Sequence, residues 1–121
     1  MAAPIALLRC ESYAPSTVKA AVERLLALLG PEALPFPRGG RILVKPNLLV
    51  AREPEACATT HPQVLRAVLE ALLDRGYRPL VAERPGPAPF FRVAGRTGTA
   101  EVTQALGVEL RLFEEFRPIP D

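Results

Sequence analysis

Little sulfur, little imidazole and little net charge mark this chain of 121 residues, and each shortage closes off a class of function. The two cysteines, Cys10 and Cys57, stand far apart and outside any CxxC arrangement. Neither a disulfide framework nor a zinc site follows from them, and both are expected as free thiols in a reducing cytosol. With His61 as the one histidine, a metal site built from this chain alone is not expected. A net charge of +2, basic residues spread along the chain and 6% aromatics leave no footprint for nucleic acid or a membrane surface as partner. The first apolar run is too short, and lacks the leading charge, for a signal peptide. The leucines near Leu25 to Leu29 sit close behind Lys19, Glu23 and Arg24, so no membrane span is predicted, and a cytoplasmic location is the expectation. Neither GxGxxG nor the GxxxxGK motif of phosphate loops occurs. Lysine is scarce too: 13 of the 15 basic residues are arginine, and proline is frequent at 14. That bias fits a GC-rich genome or a warm habitat.

Against these absences stands a regular alternation of apolar runs and amphipathic segments. Ile5 to Leu8 reads as a first strand. From Pro15, Val18, Ala21, Val22, Leu25, Leu28 and Leu29 recur on one helical face until Gly30-Pro31. Ile42 to Val44 is a second strand, ending before Pro46, which cannot donate to a ladder. A second helix starts near His61, with Thr60 and Gln63 at capping-box spacing and Pro62 in the first turn. Its core stripe is Val64, Val68, Ala71 and Leu72. Leu65, Leu69 and Leu73 widen it beyond what one sheet face needs, and Gly76 closes it. Pro79 to Ala82 is a third strand ending at Glu83. Arg84 to Gly98 is a Pro/Gly-rich loop whose Phe90 and Phe91 anchor it to the core. A short helix near Ala100 to Leu106 leads to a fourth strand, where Val108, Leu110 and Leu112 alternate with Glu109 and Arg111.

Strands alternating with helices predict a three-layer αβα fold: a mostly parallel four-stranded sheet in the order 2-1-3-4, crossovers right-handed and helices on both faces. The first three strands, continuously apolar, are expected to be buried on both sides, and the fourth to lie at an edge or under incomplete cover. Residues 1–121 make a single α/β domain.

Parallel strands bring their carboxyl ends to one rim, where such folds hold ligands. The residues expected there are Lys45 and Asn47 after the second strand, Glu83 after the third, and Thr59, Thr60 and His61 where the second helix returns to the same edge. A cation, an amide, two hydroxyls, an imidazole and a carboxylate suit a small anion, and an exposed helix N-terminus would add to its attraction. Lys45, Asn47, Thr59 and Thr60 are the candidate ligand-binding residues; His61 and Glu83 are the candidates for moving a proton. Each also has a plainer role, as strand end, turn or cap, and the group weighs more than its members.

Lys45-Pro46-Asn47, Thr59-Thr60-His61-Pro62 and a strand ending in an acid before Pro85-Gly86 together resemble the domain of unknown function 362 family. Glu11-Ser12-Tyr13 and the Thr97-Gly98 segment ahead of Gly107-Val108 are similar as well. Family members usually carry aspartate at the position of Glu83. The resemblance implies an N-terminal half of a larger protein, whose remaining C-terminal part bears further lysine and histidine motifs. It also implies a redox-linked context, in which a ferredoxin-like segment beyond these residues holds a four-iron four-sulfur cluster; this chain itself is expected to carry no cofactor. Two functions follow as expectations: the anion-binding half of a larger enzyme, or a non-catalytic module docking an iron–sulfur domain or partner subunit.

Overall fold

A computed structural model describes residues 3–114 and 118–120. Its elements are α1 (Pro15–Leu29), β1 (Arg41–Val44), α2 (Pro62–Asp74), β2 (Arg78–Glu83), α3 (Phe90–Arg96), α4 (Thr99–Leu106) and β3 (Glu109–Leu112), with 3-10 turns at Pro31–Ala33 and Pro54–Ala56. Among the described residues the strands form one parallel sheet, in the order β1-β2-β3.

The register explains the core. Val44 pairs with Val81 and Val81 with Leu110, so three apolar side chains cross one sheet face in a row. Leu65 and Leu69 of α2 and Val102 of α4 pack on Val81 and Val108, with Val44, Leu106 and Leu110 around them. Burying a leucine of this kind contributes roughly 1.5–3 kcal/mol.

Four expectations change. The strand at Ile5–Leu8 does not form: the segment is without regular structure, and Ile5 and Leu7 are 93% and 90% exposed. The order 2-1-3-4 fails with it, because β1 and β2 pair directly and leave no place between them. The sheet is covered on one face rather than two. On the other face Leu43 is 53% exposed, and Arg41, Arg78, Glu109 and Arg111 are exposed around it. Glu109 reaches Arg111 and Arg41 there, and Ala82, paired with Arg111 on the same face, is buried. Hence β1 is an edge strand, and β2 is buried only at Val81, Ala82 and Glu83. Finally, the Arg84–Gly98 loop contains a helix: Phe90, Val93 and Ala94 recur at helical spacing and are buried, a pattern masked by the surrounding prolines and glycines. Phe91, beside Phe90 with ring centroids 5.4 Å apart, is exposed.

The wide apolar face of α2 finds its cover within the chain. This helix packs on β2, on α4 and on α1, and of the extra leucines Leu65 and Leu69 are buried there while Leu73 stays 38% exposed. Polar residues complete the α1 contact. The Arg75 guanidinium donates two hydrogen bonds to Glu23, at 3.0 and 2.7 Å, holding the Glu23 carboxyl below its usual range. Lys19 lies 3.4 Å from Glu70 and 3.5 Å from Asp74.

Candidate functional site at the carboxyl rim

Lys45 follows the last residue of β1 and Glu83 is the last residue of β2, so the parallel pairing carries both to the same rim. The Lys45 Nζ donates to Glu83 Oε2 at 2.7 Å. The partners differ in environment: the Glu83 side chain is 7% exposed, that of Lys45 57%. Glu83 is held from two further directions. Its Oε1 accepts the Arg84 N–H at 2.8 Å, and its carbonyl accepts the Phe113 N–H at 3.1 Å, which ties β3 to the rim. A buried carboxylate needs such partners, since removing an unpaired charge from water costs several kcal/mol.

Beyond Lys45 the chain alternates for two more pairs: Pro46 and Leu48 are buried, Lys45 and Asn47 exposed. This peg-and-pause pattern fixes the loop. A reciprocal clamp then joins it to the start of α2: the Asn47 N–H donates to Thr60 Oγ1 at 2.8 Å, and the Thr60 N–H donates to the Asn47 carbonyl at 2.9 Å. The Asn47 side-chain amide has no hydrogen-bond partner among the described residues, and the Thr60 hydroxyl, used there as acceptor, keeps its proton to donate.

The cap of α2 is His61, not Thr60. Pro62 takes the first helical position, which makes the residue before it the cap. His61 Nδ1 accepts the Gln63 N–H at 3.1 Å, so the proton of the neutral ring sits on Nε2. One face of the imidazole is covered by Tyr13, ring centroids 3.6 Å apart and 5° from parallel. Burial lowers the His61 pKa from 6.5, against a smaller pull upward from Glu55. Val64 and Leu65 N–H both donate to the His61 carbonyl, and Pro62 has no N–H. The N–H groups of Gln63, Val64 and Leu65 in the first turn of α2 are therefore consumed and not free for an anion.

The structure thus joins Lys45 to Glu83 and Asn47 to Thr60, the two pairs linked through a two-residue step of chain. Thr59 is half-buried beside them. His61 follows Thr60 but is turned to its capping bond and to Tyr13. Sequence reasoning quoted Tyr13 within the Glu11-Ser12-Tyr13 similarity but gave it no place at the site, where it stacks on His61. It missed the inward Pro46 and Leu48, whose alternation with Lys45 and Asn47 was readable. Next to Glu83, between the ends of β2 and β3, lies a cleft of about 460 Å³ lined by Arg84, Pro85, Gly86, Phe90, Leu112 and Phe113 among others. Gly86 passes close to the Leu49 carbonyl, bringing the loops after β1 and β2 together.

The fold and the rim define a parallel α/β unit with an ion pair and a threonine clamp at the carboxyl ends of its strands. The chain belongs to the Domain of unknown function (DUF362) family, whose model matches residues 42–120, from β1 onward. The Glu11-Ser12-Tyr13 similarity lies ahead of that match. The chain is also similar to the thylakoid-associated protein sll1697 of Synechocystis sp., with 31% identity over 121 residues, all of this chain and 38% of the relative. The chain therefore spans well under half the length of that protein. No solved structure matches.

Proposed function

We propose that the carboxyl rim binds a small anionic ligand, as one portion of a larger, redox-linked enzyme of this family. The observation that carries the reading is the position of Lys45: its ammonium is anchored by a buried carboxylate while the side chain stays 57% exposed, two residues from Asn47, whose side-chain amide is unpartnered among the described residues. Lys45 supplies the charge, and Asn47 with the Thr59 and Thr60 hydroxyls orients the ligand. His61 and Glu83 are the groups proposed to move a proton, Glu83 sitting directly against the lysine and His61 at the helix start. A ligand that binds the folded state raises its apparent stability by mass action. Millimolar phosphate or succinate should thus raise the melting temperature of the wild-type chain, with the increment absent in Lys45→Ala. Equal increments in both proteins, or none in either, would count against the site.

The redox-linked context rests on the family resemblance. A four-iron four-sulfur cluster takes four thiolates, and this chain has Cys10 and Cys57 alone, both exposed, so its own residues do not fit one. The cluster is proposed for portions of the protein beyond these residues.

The second reading, a docking module for an iron–sulfur domain or partner subunit, is favoured by the open sheet face, where Leu43 is 53% exposed. It predicts concentration-dependent association in sedimentation velocity, and a monomer at every concentration speaks against it. Among the described residues no helix is long and apolar enough to cross a membrane. The relative's name ties that protein to thylakoids; for this chain a cytoplasmic place is the proposal.

A further inference from the structure

The segment ahead of α1 has the burial rhythm of a strand without the pairing of one. Ile5 and Leu7 are exposed, while Ala6 and Leu8 between them are half-buried. It runs along α1 in the opposite direction: Pro4 shares a small cavity with Leu29, Leu8 shares another with Val22 and Leu25, and Tyr13 reaches His61 at the start of α2. Since α2 begins at the carboxyl rim, the segment travels in the same sense as β1. No backbone hydrogen bond joins residues 3–8 to the rest of the described chain.

Two further features define where such a strand would go. Among the described residues β1 pairs with β2 alone, so its outer edge carries unused donors and acceptors. In the helix layer α2 packs on β2 with α4 and α1 as its neighbours, and since α4 packs on β3, α1 lies toward the β1 side. A parallel strand connected through α1 to β1 by a right-handed crossover belongs at that edge.

We infer that Ile5–Leu8 is an unzipped fourth strand that closes in parallel on the outer edge of β1, giving the order Ile5–Leu8, β1, β2, β3. Closing places Ala6 and Leu8 under α1 and sets Ile5 and Leu7 beside Leu43 on the open face. Three scattered leucine and isoleucine side chains become one apolar strip, so edge pairing and presentation of that face are a single event. The inference is independent of the anion site.

Cross-linking reads the pairing directly. In a Cys10→Ser/Cys57→Ser background, Leu7→Cys and Ile5→Cys are each combined with Leu43→Cys, on the same face; Ala6→Cys with Leu43→Cys is the opposite-face control. Paired strands bring Cα atoms within the 4.4–6.8 Å that a disulfide spans. The expected result is an intramolecular disulfide in a monomer for at least one same-face pair, formed about tenfold faster than in the control. Equal rates for both faces, no disulfide, or a disulfide-linked dimer would overturn the inference. A variant at the exposed Leu7 gives a second reading that leaves the core intact. Leu7→Pro should speed hydrogen exchange at the Leu43 amide, which the parallel ladder turns away from β2, by about threefold or more. Unchanged exchange at Leu43 would also overturn it.

Discussion

At the scale of the residue, Glu83 sets the terms of the site. It is buried, and each carboxylate oxygen has one donor, Lys45 or the Arg84 N–H. Lys45→Ala therefore strands a buried acceptor and is expected to cost about 1–3 kcal/mol in denaturant unfolding. Glu83→Gln removes the buried charge while keeping an oxygen for one donor, so its cost should be smaller. The reverse ranking would mean that the exposed lysine contributes nothing to holding the carboxylate. His61 gives a prediction in pH. Burial lowers its folded pKa from 6.5, and protonating Nδ1 also removes the acceptor that caps Gln63. As pH falls through 6.5 the unfolded chain takes up the proton first. The contribution of His61 is thus complete above that value and is lost as pH falls from there through the folded value. His61→Asn keeps a cap acceptor that does not titrate. Between pH 7.5 and 5 the wild type should lose more stability than this variant, and parallel losses would contradict the assigned cap.

At the scale of the element, α2 and the turn before α4 hold the rim in place. Leu69 is fully buried in the central cluster, and Leu69→Ala should cost about 2–5 kcal/mol. Gly98 has φ +80°, and an added Cβ would lie 3.0 Å from Cβ and Cγ of Pro62, the first residue of α2. Gly107, at φ +65°, faces open space. Gly107→Ala is expected to cost the left-handed backbone penalty, about 1–2 kcal/mol, and Gly98→Ala measurably more. Equal costs in thermal unfolding would show that the contact with Pro62 is soft. These elements also show what could be read in advance. A period of 3.6 revealed α1 and α2, short continuous apolar runs revealed β1 and β2, alternation revealed β3, and α4 was placed by the Gly107 that ends it. Capping was misassigned because Thr60 satisfies the spacing rule while Pro62 moves the cap to His61. Helix α3 was hidden because its prolines and glycines flank, rather than interrupt, the buried Phe90, Val93 and Ala94. The strand at Ile5–Leu8 was overread because composition gives a segment's taste for a sheet and not whether its backbone is joined to an edge.

At the scale of the whole molecule, one helix layer on a three-stranded sheet leaves an open face and an open edge beside a well-made rim. The rim was legible because parallel strands must end together, which brought Lys45 and Glu83 to one place. The helix N-terminus was not: its amides are spent on the His61 carbonyl and ring, a local competition that spacing does not display. In the proposed site an anion would therefore have to be recognised by Lys45, the Asn47 amide and the threonine hydroxyls. The most direct measurement is a ¹H–¹⁵N titration of the chain with phosphate, following the Asn47 side-chain amide and the backbone amides of Lys45, Asn47 and Thr60. The account predicts saturable shifts confined to these groups and abolished in Lys45→Ala; shifts absent from them, or unchanged in the variant, would contradict it.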